Sequence, residues 1–289
     1  MAKDMMDEYF EVLKKQWAQM GLDPEAMMKQ VRASQEMAKG FSAQMAQLMG
    51  AAGGDSSGLF NDEPPVNPET DLPGPAALKA VACGANLAYL NLQYLNTLKT
   101  FRPADQIEAV LESDWSIGSP EALAETLEWL DAAGHRAYFD PLWKKLKSTP
   151  VAEWALAIEN VALLFPGEEP DQIQSYASNL VYGYDFLKTR GFFKEMAEPS
   201  ILSWDLGRSV NLCRWGHDAG FLSREDALQR ILASARVLRK AYPSWRALSE
   251  GYLLGFAMWT RNDDELETLL VDHEKLLTHP KSPWVTITW

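Results

Sequence analysis

The chain has 289 residues, a formal net charge of −13 and an apolar share of 47%. That share is ordinary for a globular protein and supports a sizeable core. No block of Lys and Arg is present, which speaks against nucleic-acid binding by phosphate neutralisation, whereas an acidic surface suits a basic protein partner. Cys83 and Cys213 stand far apart and read as reduced thiols of a cytoplasmic protein, a disulfide between them being the other reading. The first residues, Met-Ala-Lys-Asp-Met-Met-Asp-Glu, are too charged for a signal peptide. The longest apolar run, Leu78 to Leu98, is interrupted by Lys79, Asn86, Asn91, Gln93 and Asn96. It predicts a buried helix and no membrane span.

Residues 1–49 predict a Met-rich helical hairpin. Met6, Phe10, Leu13, Trp17 and Met20 recur at four and three residues, a heptad seam. Gly21-Leu22 ends that helix, and Asp23-Pro24-Glu25 opens the next. The seam resumes at Met27, Val31, Ser34, Ala38, Phe41, Met45 and Leu48. Methionine seams deform to suit a partner. Met6, Phe10, Trp17, Met27, Phe41 and Met45 are therefore the candidate interaction residues. They would pack on the chain's own C-terminal domain, on a second copy in a homo-oligomer, or on another protein.

Residues 50–75 are rich in Gly, Ser, Pro and acid and predict a flexible linker, spanning roughly 25–30 Å as a coil. Gly54-Asp-Ser56-Ser-Gly58 within it has the spacing of a nucleophile elbow. It lacks the strand before and the helix after that such an elbow needs.

Residues 76–289 predict an all-α, multi-helix domain. Pro75 opens a long apolar helix to about Phe101, and Pro103 a second one to about Asp114. Ser119-Pro120-Glu121 caps a third, through Leu123, Leu127 and Leu130, stopped by Gly134. Thr149-Pro150, Glu169-Pro170, Glu198-Pro199-Ser200, Ser223 with Asp226, and Tyr242-Pro243-Ser244 mark further starts. Trp284 to Trp289 reads as a short extended tail.

The helix over Ser200–His217 holds the densest mixture of aromatic and ionisable side chains. Residues three or four apart share a helix face, so Asp205 and Trp204 lie beside Arg208, and Cys213 beside His217. The cysteine and histidine could form a thiolate–imidazolium pair, with Arg214 lowering the thiol pKa. Asp205, Arg208 and Arg214 form the stronger group together with Gly134-His135-Arg136. His135 follows a helix-ending glycine, which predicts a helix C-terminus and a raised pKa. A carboxylate and an imidazole near an arginine suit acid–base work on an anionic substrate. The competing expectation is a structural network of Trp204, Asp205, Arg208, Arg214, Trp245 and Trp259 holding helices in register. No metal-ligand spacing and no cofactor motif is found.

One ordered set of motifs spans about residue 110 to the end. It runs Trp115-x-Ile117, Trp129-Leu-x-x-x-Gly134-His135-Arg136, Trp204-Asp205-x-Gly207-Arg208 with Arg214, Gly220-Phe-Leu, Ser244-Trp245, Gly251-Tyr252-x-x-Gly255-x-x-x-Trp259 and Ser282-Pro283-Trp284. The set resembles the bacterial family catalogued as domain of unknown function 1266. The resemblance implies an all-helical cytoplasmic domain with no established reaction. It marks His135, Trp204, Asp205, Arg208 and Trp259. The leading expectation for function is a non-catalytic interaction protein, such as an adaptor, a chaperone or a toxin-neutralising protein, that offers an acidic helical surface to a protein partner. The alternative is a hydrolase or transferase with an acid–base site at His135, Asp205 and Arg208.

Overall fold

The computed structural model describes residues 63–289. The chain divides into two units after Asn61, and the described residues all belong to the second. The predicted hairpin, with Met6, Phe10, Trp17, Met27, Phe41 and Met45, lies outside the described residues, as does the first half of the predicted linker.

Among the described residues every regular element is a helix. In chain order they are α1 (Pro75–Ala82), α2 (Ala85–Leu90), α3 (Ala104–Trp115), α4 (Pro120–Ala132), α5 (Arg136–Lys147), α6 (Trp154–Ala157), α7 (Pro170–Thr189), α8 (Leu202–Asp218), α9 (Arg224–Ala241), α10 (Trp245–Trp259), α11 (Asp263–Thr278) and α12 (Pro283–Thr286). Single 3-10 turns flank α6 on both sides. The starts are set by caps legible in the sequence. The hydroxyls of Ser119, Ser223 and Ser244 accept from the backbone N–H of Ala122, Asp226 and Ala247. Each satisfies an orphan donor of a first turn.

Helix α8 is the axis of the fold. Every residue from Ser203 to Gly216 is buried, so no face of it reaches solvent. A helix buried all round is normally apolar. This one carries Ser203, Asp205, Arg208, Asn211 and Arg214, and the rest of the chain must supply their partners. Apolar residues collect on two sides of it. One cluster joins α1 to α4, α9 and the tail, including Leu98, Leu111, Leu127, Ile231 and Trp284. The other joins α5 to α7, α10 and α11, including Phe139, Trp154, Leu180, Leu253 and Leu269. Both α8 and α10 contribute to both clusters.

Helix α10 crosses α8 closely because two glycines face it. A Cβ on Gly251 would stand 2.7 Å from Ser203 Oγ of α8 and 2.5 Å from the Ser200 carbonyl oxygen just before it. One on Gly255 would overlap Trp204 Cβ and Cγ.

The structure departs from the sequence reading along the apolar run, beyond it and in the tail. The apolar run from Pro75 is two short helices, broken at Cys83-Gly84. A Cβ at Gly84 would meet Asn211 Nδ2 at 2.7 Å and Val210 Cγ1 at 2.8 Å, and Asn211 Nδ2 donates to the Gly84 carbonyl at 2.8 Å. Close approach of α8 thus overrides the helical periodicity. Beyond Asn91 the chain becomes a loop folded around the end of α8. Arg214 donates to the carbonyls of Tyr94 and Leu98 at 2.7 and 3.2 Å. Trp215 Nε1 donates to Gln93 Oε1 at 3.0 Å. The tail is also partly helical: α12 is followed by extended Ile287. It is clasped by Trp245 stacked on Trp284 at 5.5 Å and by Trp289 edge-on to Trp245 at 4.5 Å.

The second half of the predicted linker falls within the described residues and is held to the domain. Asn67 N–H donates to Asn96 Oδ1 at 2.8 Å, and the Asp71 carboxylate accepts from Leu98 and Lys99 N–H at 2.7 and 3.1 Å. Leu72 is buried. Composition marks this stretch as polar; Asn96, Leu98 and Lys99 of the 91–101 loop supply the partners that fix it.

His273 on α11 is fully buried. Its Nδ1 lies 2.8 Å from Ser249 Oγ, and its Nε2 3.4 Å from Arg246 Nη1. Burial, helped by the Arg246 charge, pushes its pKa down to about 3. The unfolded chain therefore binds this proton first, so the stability it contributes is full above pH ~6.5 and is lost as pH falls toward 3, at about 1.4 kcal/mol per unit. Asp272, raised by burial to about 6, acts in the opposite sense. Comparing unfolding free energies of the parent and His273→Gln between pH 7 and 5 isolates the histidine. The variant is expected to show the shallower acid loss, and equal slopes would remove His273 as the cause.

Candidate functional site

Asp205 stands in the first turn of α8 and is wholly buried. Its carboxylate faces the start of α5. Oδ1 accepts from the His135 backbone N–H at 2.9 Å and from Arg208 Nη2 at 3.0 Å. Oδ2 accepts from the Arg136 backbone N–H at 3.2 Å and from Arg136 Nη1 at 2.8 Å. One carboxylate thus holds two orphan N–H groups of a helix N-terminus and two guanidiniums. Gly134 makes the approach feasible. It sits at φ 55°, and a Cβ there would overlap the Asp205 carboxylate.

His135 is consequently the N-cap of α5. The expected helix C-terminus and raised pKa are both corrected: Gly134 ends α4 and, in the same step, opens the next helix. Burial lowers the His135 pKa, and the Arg208 charge adds to the effect. The neighbouring Asp205 carboxylate pulls the other way without reversing it. Arg208 Nη2 lies 2.8 Å from His135 Nδ1. A guanidinium only donates, so Nδ1 accepts and the neutral ring carries its proton on Nε2.

Aromatic rings enclose the pair. The Arg208 guanidinium lies 4.0 Å from the Trp204 ring centre and 5.4 Å from that of Trp115. Its Nε donates to the Trp204 carbonyl at 2.9 Å. Trp204 in turn meets Tyr252 at 5.1 Å and Trp259 at 5.9 Å. The His135 ring touches Trp129 at 5.2 Å and Tyr176 at 6.0 Å. Trp204 Nε1 is buried with no hydrogen-bond partner among the described residues.

Five of the residues singled out from the sequence therefore converge: His135, Trp204, Asp205, Arg208 and Trp259. Two others do not join them. Arg214 turns away into the 91–101 loop, and Trp245 packs in the tail. Arg136 completes the carboxylate's shell, a role its place just after Gly134-His135 signals only once α5 is known to begin there. Tyr176 carries no signal of its own, since only the fold brings it to the imidazole, whereas Trp129 opens the motif that contains Gly134-His135-Arg136. An open recess on α9, lined by Arg224, Glu225, Leu228, Gln229, Leu232 and Arg236, includes none of these residues.

The thiolate–imidazolium pair that the i,i+4 spacing allows does not form. Cys213 is buried, and burial pushes its thiol up to about 12. The Arg214 guanidinium expected to lower it is committed to the loop carbonyls, and the hydrogen-bond partner of His217 Nδ1 is the Leu222 carbonyl, at 3.4 Å. Cys83 is likewise buried and raised to about 12. Both are free thiols. Neither is expected to react with an aromatic disulfide reagent in the native protein at pH 8, and both should react at once in denaturant. Prompt reaction of a native thiol would contradict this burial.

Among the described residues no group of three or more His, Cys, Asp or Glu is placed to hold a metal ion. No helix there is long and apolar enough to cross a membrane. The family described as protein of unknown function (DUF1266) matches residues 110–289, from within α3 to the last residue. The chain belongs to this family. No curated protein and no solved structure matches it. All the converging residues lie inside the DUF1266 stretch. The loop that partners Arg214 and the Gly84 carbonyl that partners Asn211 lie before it, so the central helix of the DUF1266 domain is completed by chain outside the family match.

Proposed function

We propose that this protein is a non-catalytic interaction protein, an adaptor, chaperone or toxin-neutralising protein whose acidic helical surface engages a protein partner in the cytoplasm. The observation that carries the reading is the enclosure of Asp205. Its carboxylate has no exposed surface and four donors already occupy it. A site for acid–base chemistry needs an open pocket in which polar groups meet substrate. A buried carboxylate whose lone pairs are already taken serves instead to fix the helices that carry it. The net charge of −13 favours a basic partner.

A second reading, a hydrolase or transferase using His135, Asp205 and Arg208, draws on their convergence within hydrogen-bond distance. The two readings separate in one experiment. A partner recovered by affinity capture from the native cell is purified and mixed with the chain, and the complex is followed by light scattering. The interaction reading expects a stoichiometric complex. It fails if the purified chain instead turns over a small molecule, and His135→Gln abolishes turnover while melting like the parent.

A further inference from the structure

Between α5 and α7 the chain runs as a strap of short helical turns, from Val151 to Phe165. Its hydrogen bonds pass without interruption from Trp154 to Ile158, Ile158 to Val161 and Asn160 to Leu163. The inner side is anchored. Trp154, Ile158 and Val161 are buried in the cluster with Phe139 and Leu180. Trp154 Nε1 donates to the Leu146 and Thr149 carbonyls at 2.9 and 3.0 Å.

The outer side is apolar as well. Val151 is 68% exposed, Leu156 66%, Leu163 82% and Leu164 46%. Leu156 and Leu163, seven residues apart, alternate along the chain with the buried Trp154, Ile158 and Val161. Single exposed apolar residues are ordinary, but four in one short strap make a patch of the kind that marks an interaction surface.

Along the strap itself and into the helix that follows it, the charge in the chain is of one sign. From Ser148 to Leu187 the chain contains no lysine or arginine, while Glu153, Glu159, Glu168, Glu169 and Asp171 are all exposed there. None of these makes an ion pair among the described residues; Glu168 only accepts from the Tyr138 hydroxyl at 3.1 Å. Lys144 and Lys145, in the last turn of α5, border one end of the strap. An apolar centre with an unpaired acidic border selects a partner of complementary pattern, apolar on one face and cationic beside it.

We propose that the Val151–Leu164 strap is the docking surface for a basic amphipathic helix of a partner protein, with Leu156 and Leu163 entering its apolar face and Glu153, Glu159, Glu168 and Glu169 facing its cations. This rests on the interaction reading above and names its surface and the chemistry of its partner.

The test uses the full chain and two fluorescein-labelled synthetic helices, one of leucine and lysine in amphipathic order and one with glutamate for lysine. Fluorescence anisotropy measures their binding to the parent and to the double variant Leu156→Ser with Leu163→Ser. Both positions are exposed, so the variant should melt with the parent. The expected result is saturable binding of the lysine helix, weakened about tenfold or more by the double substitution, with no binding of the glutamate helix. Raising the salt should weaken binding further. Equal binding to parent and variant would reduce the effect to general attraction by an acidic chain and overturn the assignment. So would light scattering that shows a dimer of the chain dissociated by the double substitution, since a second copy would then cover the strap. A stable chain that binds neither helix sinks the strap alone. Turnover dependent on His135 sinks the interaction reading beneath it.

Discussion

Asp205→Ala is expected to lower the unfolding free energy by about 3–5 kcal/mol, the cost of removing one partner from a buried ion pair. For a domain of this size that is a fall in Tm of roughly 6–20 °C. The substitution removes the cap of α5, strands the backbone N–H groups of His135 and Arg136, and leaves the buried Arg208 guanidinium without its carboxylate. Asp205→Asn should be milder in shape but still costly, because an amide places a donor where four donors already point. Thermal and urea denaturation of both variants provide the measurement. An Asp205→Ala chain as stable as the parent that has lost a biological activity would reverse the argument and make the cluster a site.

Gly255→Ala should also destabilise, against the ordinary expectation for a helix interior. Alanine in place of glycine gains about 0.8–1 kcal/mol in helix propensity. Here the new methyl would overlap Trp204 Cβ, an atom fixed to the backbone of α8, and so cannot be relieved by a rotamer change. Relief requires separating two helices buried in both cores, and overpacking of this kind costs about 1–3 kcal/mol or more. The overlap falls on an atom that cannot move aside, so the cost lies at the upper end of that range and the expected net loss is about 1–2 kcal/mol. Near-ultraviolet circular dichroism should change along with stability, because Trp204 must move among Tyr252, Phe256 and Trp259. A variant more stable than the parent would show that the helices are free to separate.

The features legible in the sequence are local ones. Ser119, Ser223 and Ser244 announce their helices because capping is decided within a few residues. The Ser200–His217 helix and the Asp205–Arg208 pairing follow from a spacing of three on one helix. The features hidden from it are decided at long range. Gly84 breaks an apolar run because Asn211 and Val210 arrive beside it. The Arg214 partners lie more than a hundred residues away, at Tyr94 and Leu98. The start of α5 is hidden because glycine ends helices far more often than it admits a distant carboxylate to the next one. Cys213 beside His217 looks reactive on a helical wheel, where burial is invisible. The Met-rich hairpin lies outside the described residues.

The loop around Arg214 also sets an order in time. Between Asn91 and Phe101 the chain has no regular hydrogen-bonded ladder of its own, and its inward carbonyls depend on one side chain of α8. Those bonds close across 116 and 120 residues of sequence. The inner side of the loop is therefore completed only once the helix stands, and contacts of such separation form late. In the native protein the same dependence runs backwards. Amide exchange is expected to be faster at Gln93 to Leu98 than in the core of α8, with the difference removed only when the whole domain opens.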